Sequence, residues 1–279
     1  MPQDFAYKQL LTLIAARSQQ WLRHRIELLP HDGGSGAQID DLAEIAVAAH
    51  VCTGLRGTQA PLQAFIRSRF TPDFTEAFLE RLQSGRMGHP HRGAALLRCL
   101  PPETRDRIAP GQGLDLAWRL ALSDAPDAAL LAEAEAVLRC PVPYERLDDG
   151  TVEYHARLLA LCYRLGAERP RFSGPRAYGD IFANGLRFAG WAQRKGRLEP
   201  LAQMITSLCL IDPDHDVTPL LGDVIASQRP DGSFPARIGF GTADQDGAAL
   251  RPTLATVVAL HMAIHRRWRV PRPNVPMAA

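Results

Sequence analysis

The chain has 279 residues, 46% of them apolar, with 32 Lys and Arg set against 30 Asp and Glu. That length suits one large domain, and the apolar share can fill a sizeable core. The near balance of charge leaves no footprint for nucleic acid or an anionic membrane, and no apolar run reaches the roughly 18 residues that cross a bilayer.

Met1 to Gln20 carry Asp4, Lys8 and Arg17 in an amphipathic pattern, unlike the basic start and apolar middle of a secretory signal, so a cytoplasmic location is expected. The basic side is almost all arginine, and with abundant Ala, Leu and Pro this suggests a GC-rich bacterial genome. Cys52, Cys99, Cys140, Cys162 and Cys209 are odd in number, widely spaced and free of any Cys-x-x-Cys pair, so they read as buried reduced thiols.

Apolar residues at steps of three and four predict a first helix over about Phe5 to Leu29, ended by Pro30. Gly33-Gly34-Ser35-Gly36 is a linker. Asp40-Asp41 then open a second helix with acids in its first turn, where the macrodipole favours them, and it runs to about Gly54. Shorter helices are predicted over Pro61 to Phe70 and Asp73 to Leu82, and another starts at His89-Pro90-His91-Arg92. Leu114 to Leu122 and Ala128 to Leu138 form a pair around a capping turn, Asp124 to Asp127. Val152 to Tyr163 is nearly apolar apart from Glu153, Tyr154, His155 and Arg157 near its start. Gly174 to Gln193, Glu199 to Cys209, Asp216 to Gln228 and Arg251 to Arg267 complete about a dozen helices. Residues 270–279, with Pro271, Pro273 and Pro276, form an extended tail. No stretch alternates like a half-buried strand, so the chain is expected to be all-α and a single domain.

The string Gln228-Arg229-Pro230-Asp231-Gly232-Ser233-Phe234 ends an amphipathic helix, and Arg251-Pro252-Thr253-Leu254-Ala255-Thr256 opens an apolar one. This pattern resembles the repeat of the terpenoid cyclase and protein prenyltransferase α/α toroids, whose units end in a Gln-x-x-Asp-Gly-Ser-aromatic turn before a buried helix. The resemblance covers about fifty residues and implies a toroid-like (α/α)6 barrel, with inner helices starting near Asp41, His91, Asp115, Tyr154, Glu199 and Thr253. The short interval between His91 and Asp115 fits a full helix pair poorly, and an open helical repeat is the competing architecture. The turn is structural in those families, so it carries over architecture and not chemistry.

An Asp-x-Asp-Asp acid motif, by which some terpene cyclases protonate an alkene, is missing from the sequence. Asp212-Pro213-Asp214-His215-Asp216 reads more simply as a capping turn. His261 and His265 share a helix face, but Met262 stands where a metalloprotease pattern needs Glu, and His89 and His91 sit in a polar turn, so no metal site is expected. No cofactor motif is present. Polar groups at the starts of otherwise apolar inner helices are the candidate chemistry. His155, Tyr154 and Arg157 are the catalytic candidates, while Asp115, Trp118, Glu199, Arg251 and Thr253 are candidates for lining a substrate cavity. The expected function is an enzyme or accessory enzyme of bacterial specialised metabolism that holds a small apolar or peptide-like substrate in the ring. A non-catalytic scaffold gripping a protein partner on its concave face, and a divergent terpene cyclase, are the alternatives, and the residues leave open whether the chain is catalytic.

Overall fold

Helix-starting residues divide the chain at points that recur in the computed structural model, which describes residues 2–27, 39–48, 68, 71–84, 90–97, 99–100, 115–123, 126–239 and 249–265. Helix α1 spans Pro2–Glu27, α2 covers 39–48, α3 is Pro72–Gln83, α4 Pro90–Leu97, α5 Leu116–Leu122 and α6 Ala128–Arg139. A 3-10 turn at Tyr144–Arg146 leads to α7 at Asp149–Cys162, followed by α8 at Pro175–Arg194, α9 at Leu198–Ile211, α10 at Thr218–Ala226 and α11 at Leu250–His265. The linker at 33–36, His89 and the tail at 270–279 lie outside the described residues, as does the expected helix at 61–70 apart from residue 68. Among the described residues there is no strand, only an isolated antiparallel bridge between Arg197 and Arg237.

The helix ends follow local chemistry. Thr71, Asp115, Asp127 and Asp148 each accept a backbone N–H from the residue three positions on, which satisfies a donor that the first turn leaves unpaired. Pro72, Pro175 and Pro219 occupy first-turn positions, where a missing N–H costs nothing.

The helices pack mostly against those one or two places away in sequence. Helix α9 lies between α7 and α11, while α8 packs on α9 and also touches α6 and α10, which cover α7 and α9. The first helix packs against the last, α1 on α11. Helices α4 and α5 pack against α7 on its other flank. One continuous core runs through all of this, from Leu11 and Ile14 in α1 to Leu260 and Met262 in α11. Cys99, Cys162 and Cys209 belong to it, and burial pushes the Cys162 thiol up to about 12, leaving it unreactive at neutral pH. Cys140, expected to be buried, is exposed at the end of α6.

The Gln228 to Phe234 turn joins α1 to the start of α11. Gln228 Nε2 donates to Ile14 O and to Ser18 Oγ, both at 3.0 Å, and Ser18 Oγ donates to Gly232 O at 2.9 Å. Asp231 Oδ1 accepts from the N–H and hydroxyl of Ser233, which sets the turn. Phe234 N–H donates to Thr253 Oγ1 at 2.9 Å, tying the turn to the start of α11. Thr253, one of the residues expected to line a cavity, is fully buried by this role.

Candidate functional site

Charged residues of four helices converge on one cavity, Glu199 and Arg251 from helix starts and Glu44 and Arg157 from further along theirs. It has a volume of about 80 Å³ and is bounded by α2, α7, α9 and α11. Ala156, Ala160, Leu210, Leu254 and Val258 form an apolar wall, and Glu44, Arg157, Glu199, Gln203 and Arg251 supply the polar part. On α7 the cavity residues Ala156, Arg157 and Ala160 follow the three- and four-residue steps of a single helix face.

Beside the cavity Arg92 of α4 is completely buried. Its Nη2 is ion-paired with Glu44 and lies 3.6 Å from Glu153, and Glu153 in turn pairs with Arg157 one turn further along α7. Nε and Nη1 of Arg92 have no hydrogen-bond partner among the described residues. Burial pushes this guanidinium down to about 10, with the positive field of Arg251 adding to the effect, so it still carries its charge at neutral pH. Glu199 is held above the ordinary carboxyl range, first by burial and then by the Glu153 carboxylate, with Arg251, Arg92 and Arg157 pulling the other way. Asp41 is raised in the same manner, by burial against the opposing field of Arg251. Five helices thus contribute to one set of neighbouring charges, and burial raises one of its carboxyls, Glu199, above its ordinary value.

The structure separates the three catalytic candidates. Successive residues of a helix point about 100° apart, so His155 and Arg157 lie on nearly opposite faces of α7. Arg157 lines the cavity. His155 faces α6 and α8 instead: it is 7% exposed, its Nε2 lies 3.3 Å from Leu138 O, and its ring meets the Phe188 ring edge-on at 4.8 Å. The same carbonyl accepts from Asn184 Nδ2 at 2.9 Å, so His155 belongs to a buried polar joint between helices. Desolvation pushes it down to about 4, leaving the imidazole neutral at pH 7. Tyr154 sits on the protein surface.

Of the five expected lining residues, Glu199 and Arg251 reach the cavity together. Asp115 is occupied as the cap of α5, accepting from Trp118 N at 2.8 Å. Trp118 is buried against Gly93 of α4, where a Cβ would come within 2.7 Å of the indole. Sequence reasoning passed over Glu44, Arg92 and Gln203. Arg92 carried a readable signal, since a cation in a helix two residues before the apolar run Ala94 to Leu97 has to find a buried partner.

A wider groove of about 760 Å³ lies elsewhere, along the start of α8 and the loop after α9, with Arg169, Tyr178 and Phe182 on one side and Asp212 and Asp214 on the other. No group of His, Cys, Asp and Glu able to hold a metal occurs among the described residues, and no described helix is long and apolar enough to cross a membrane. No protein-family model, curated protein or solved structure matches this chain.

Proposed function

We propose that the chain is an α/α ring protein that binds a small amphiphilic or peptide-like molecule in the cavity between α2, α7, α9 and α11, where Glu199 can exchange a proton with it. The observation that carries this reading is the convergence of Glu44, Arg157, Glu199 and Arg251 on one apolar-walled cavity, with Arg92 and Glu153 ion-paired beside it. Stability gives no reason for such a cluster, because apolar residues of similar volume commonly replace buried ion pairs without loss. The packing of α1 on α11 and the Gln228 turn that joins them support ring closure, in keeping with the toroid resemblance. In the ring, guanidiniums at the cavity would orient an anionic or carbonyl-bearing head, and the Glu199 carboxyl would be the proton-exchanging group. This places the acid–base role on Glu199, because His155 is spent on a structural bond.

The divergent terpene cyclase is the weaker enzyme reading, since an isoprenoid chain does not fit a cavity of about 80 Å³ without rearrangement. The scaffold reading is favoured by the 760 Å³ groove, whose aromatic floor and opposed charges suit a peptide. Calorimetric titration with short amphiphiles and with mixed-charge peptides separates the two. Small-molecule binding abolished by Glu199→Gln with Arg251→Met supports the cavity. Peptide binding abolished by Tyr178→Ala with Phe182→Ala, and indifferent to the cavity variants, supports the groove and refutes the proposal.

A further inference from the structure

The unsatisfied groups on the cavity wall specify its occupant. Arg157 spends Nη2 on Glu153, but its Nε is buried without a hydrogen-bond partner among the described residues. Gln203 donates through Nε2 to Glu199 at 3.3 Å, while its Oε1 is likewise buried without one. Arg251 borders the same space and joins no ion pair among the described residues. Thr206 and Ser207 return their hydroxyl hydrogens to carbonyls of their own helix, at 3.1 and 2.9 Å, so they add no free donors. Arg157, Gln203 and Arg251 thus border the cavity, and behind its surface the Arg157 Nε and the Gln203 Oε1 are buried without a hydrogen-bond partner among the described residues.

The charge balance points the same way. Arg92, Arg157 and Arg251 face Glu44, Glu153 and Glu199, with Asp41 and Arg25 further out, and Glu44 and Glu153 are already committed to pairs. A cationic guest would meet Arg157 and Arg251, with Arg92 behind them, and Glu199, which already accepts from Gln203, as the one lining carboxyl outside an ion pair among the described residues. An anionic guest would meet the guanidiniums of Arg157 and Arg251, whose charge-assisted hydrogen bonds to a carboxylate are stronger than neutral ones. The volume sets the tail: about half that of a cavity able to hold benzene, it admits a chain of roughly three or four carbons.

We propose that the cavity takes a short-chain carboxylate bearing one hydrogen-bond donor, a hydroxy or amido acid, with its carboxylate on Arg157 and Arg251, its donor on Gln203 and its tail against Ala156, Ala160 and Leu254. This deepens the cavity reading and rests on it. No covalent step is implied.

The test is isothermal titration of the full chain at pH 7 with 2-hydroxybutanoate, butanoate, butan-1-ol and butylamine. The hydroxy acid is expected to bind, butanoate about tenfold more weakly, and the alcohol and amine more weakly still. Arg251→Met, at a partly exposed position that leaves folding intact, should weaken both acids tenfold or more. Gln203→Leu should remove the preference for the hydroxy acid and leave butanoate binding in place. Tighter binding of butylamine or butanol than of either acid overturns the carboxylate assignment and spares the cavity reading. Silence with all four probes overturns both. Acid binding indifferent to Arg251→Met overturns the placement of the head, and if a variant fails to fold, the ranking of the four probes on the parent chain decides.

Discussion

Replacing Gly232 with alanine should destabilise the protein severely, although the residue lies at no proposed site. Its φ of +96° is in the left-handed region, where an L side chain costs about 1–2 kcal/mol. A Cβ there would stand 2.6 Å from Arg17 O and 2.9 Å from Arg17 C, and these are backbone atoms of α1 that cannot rotate away. Relief requires α1 to withdraw, which stretches the bonds from Ser18 to Gly232 O and from Gln228 to Ile14 O and Ser18, each worth about 1 kcal/mol net. With two or three of these weakened, the loss is about 3–5 kcal/mol, against a total stability on the order of 5–15 kcal/mol for a folded domain. Urea unfolding followed by circular dichroism measures it, with Gly222→Ala as the reference. Gly222 is an exposed residue of α10 with open space around it, so alanine there should raise stability by about 0.5–1 kcal/mol. A Gly232→Ala protein within about 1 kcal/mol of the parent would refute the docking role assigned to this turn.

His155 should govern part of the acid transition. Its ordinary value of 6.5 falls to about 4 in the fold, so between these pH values the unfolded chain binds the extra proton and stability drops as pH falls, by about 3 kcal/mol in all. In His155→Gln, urea midpoints measured from pH 7 to pH 4 should lose this slope, and an unaltered slope would count against the buried neutral imidazole. Glu199 has the opposite sign: its carboxyl is raised from an ordinary 4.5, so the folded state holds the proton more tightly and stability declines as pH rises above that value. Denaturation of Glu199→Gln across pH 4.5 to 8 should show a flatter profile than the parent, and a profile steeper than the parent's would contradict a burial-dominated carboxyl. Arg92→Ala strands Glu44, while Glu153 keeps Arg157, and should cost about 3–5 kcal/mol, whereas Arg92→Met combined with Glu44→Gln should recover most of that loss; a double variant as unstable as the single one would show that charge is not the cause.

What the amino-acid sequence determined by itself is local. Asp127 and Asp148 cap helices because a side chain three residues from an N–H reaches it in any fold, and Pro175 starts α8 because its ring has already chosen φ. The Gln228 to Phe234 turn belongs to the same class, since Asp231 and Ser233 bond within it and Gly232 supplies the left-handed residue. Its partners do not: Ile14 and Ser18 come from the far end of the chain, and no local pattern pairs them with Gln228. The site divides along the same line. That Glu199 and Arg251 enter apolar helices near their starts was legible, because a charge in such a helix is visible one residue at a time. Which face of α7 meets the cavity was decided only by packing. Tyr154, His155 and Arg157 are three letters in a row of four, yet α6 and α8 present Leu138 O and Phe188 to His155 while α2, α9 and α11 gather around Arg157. Arg92 makes the same point: its partners, Glu44 and Glu153, are distant in sequence, and long-range electrostatics in a desolvated interior is a property of the assembled helices that no single segment carries.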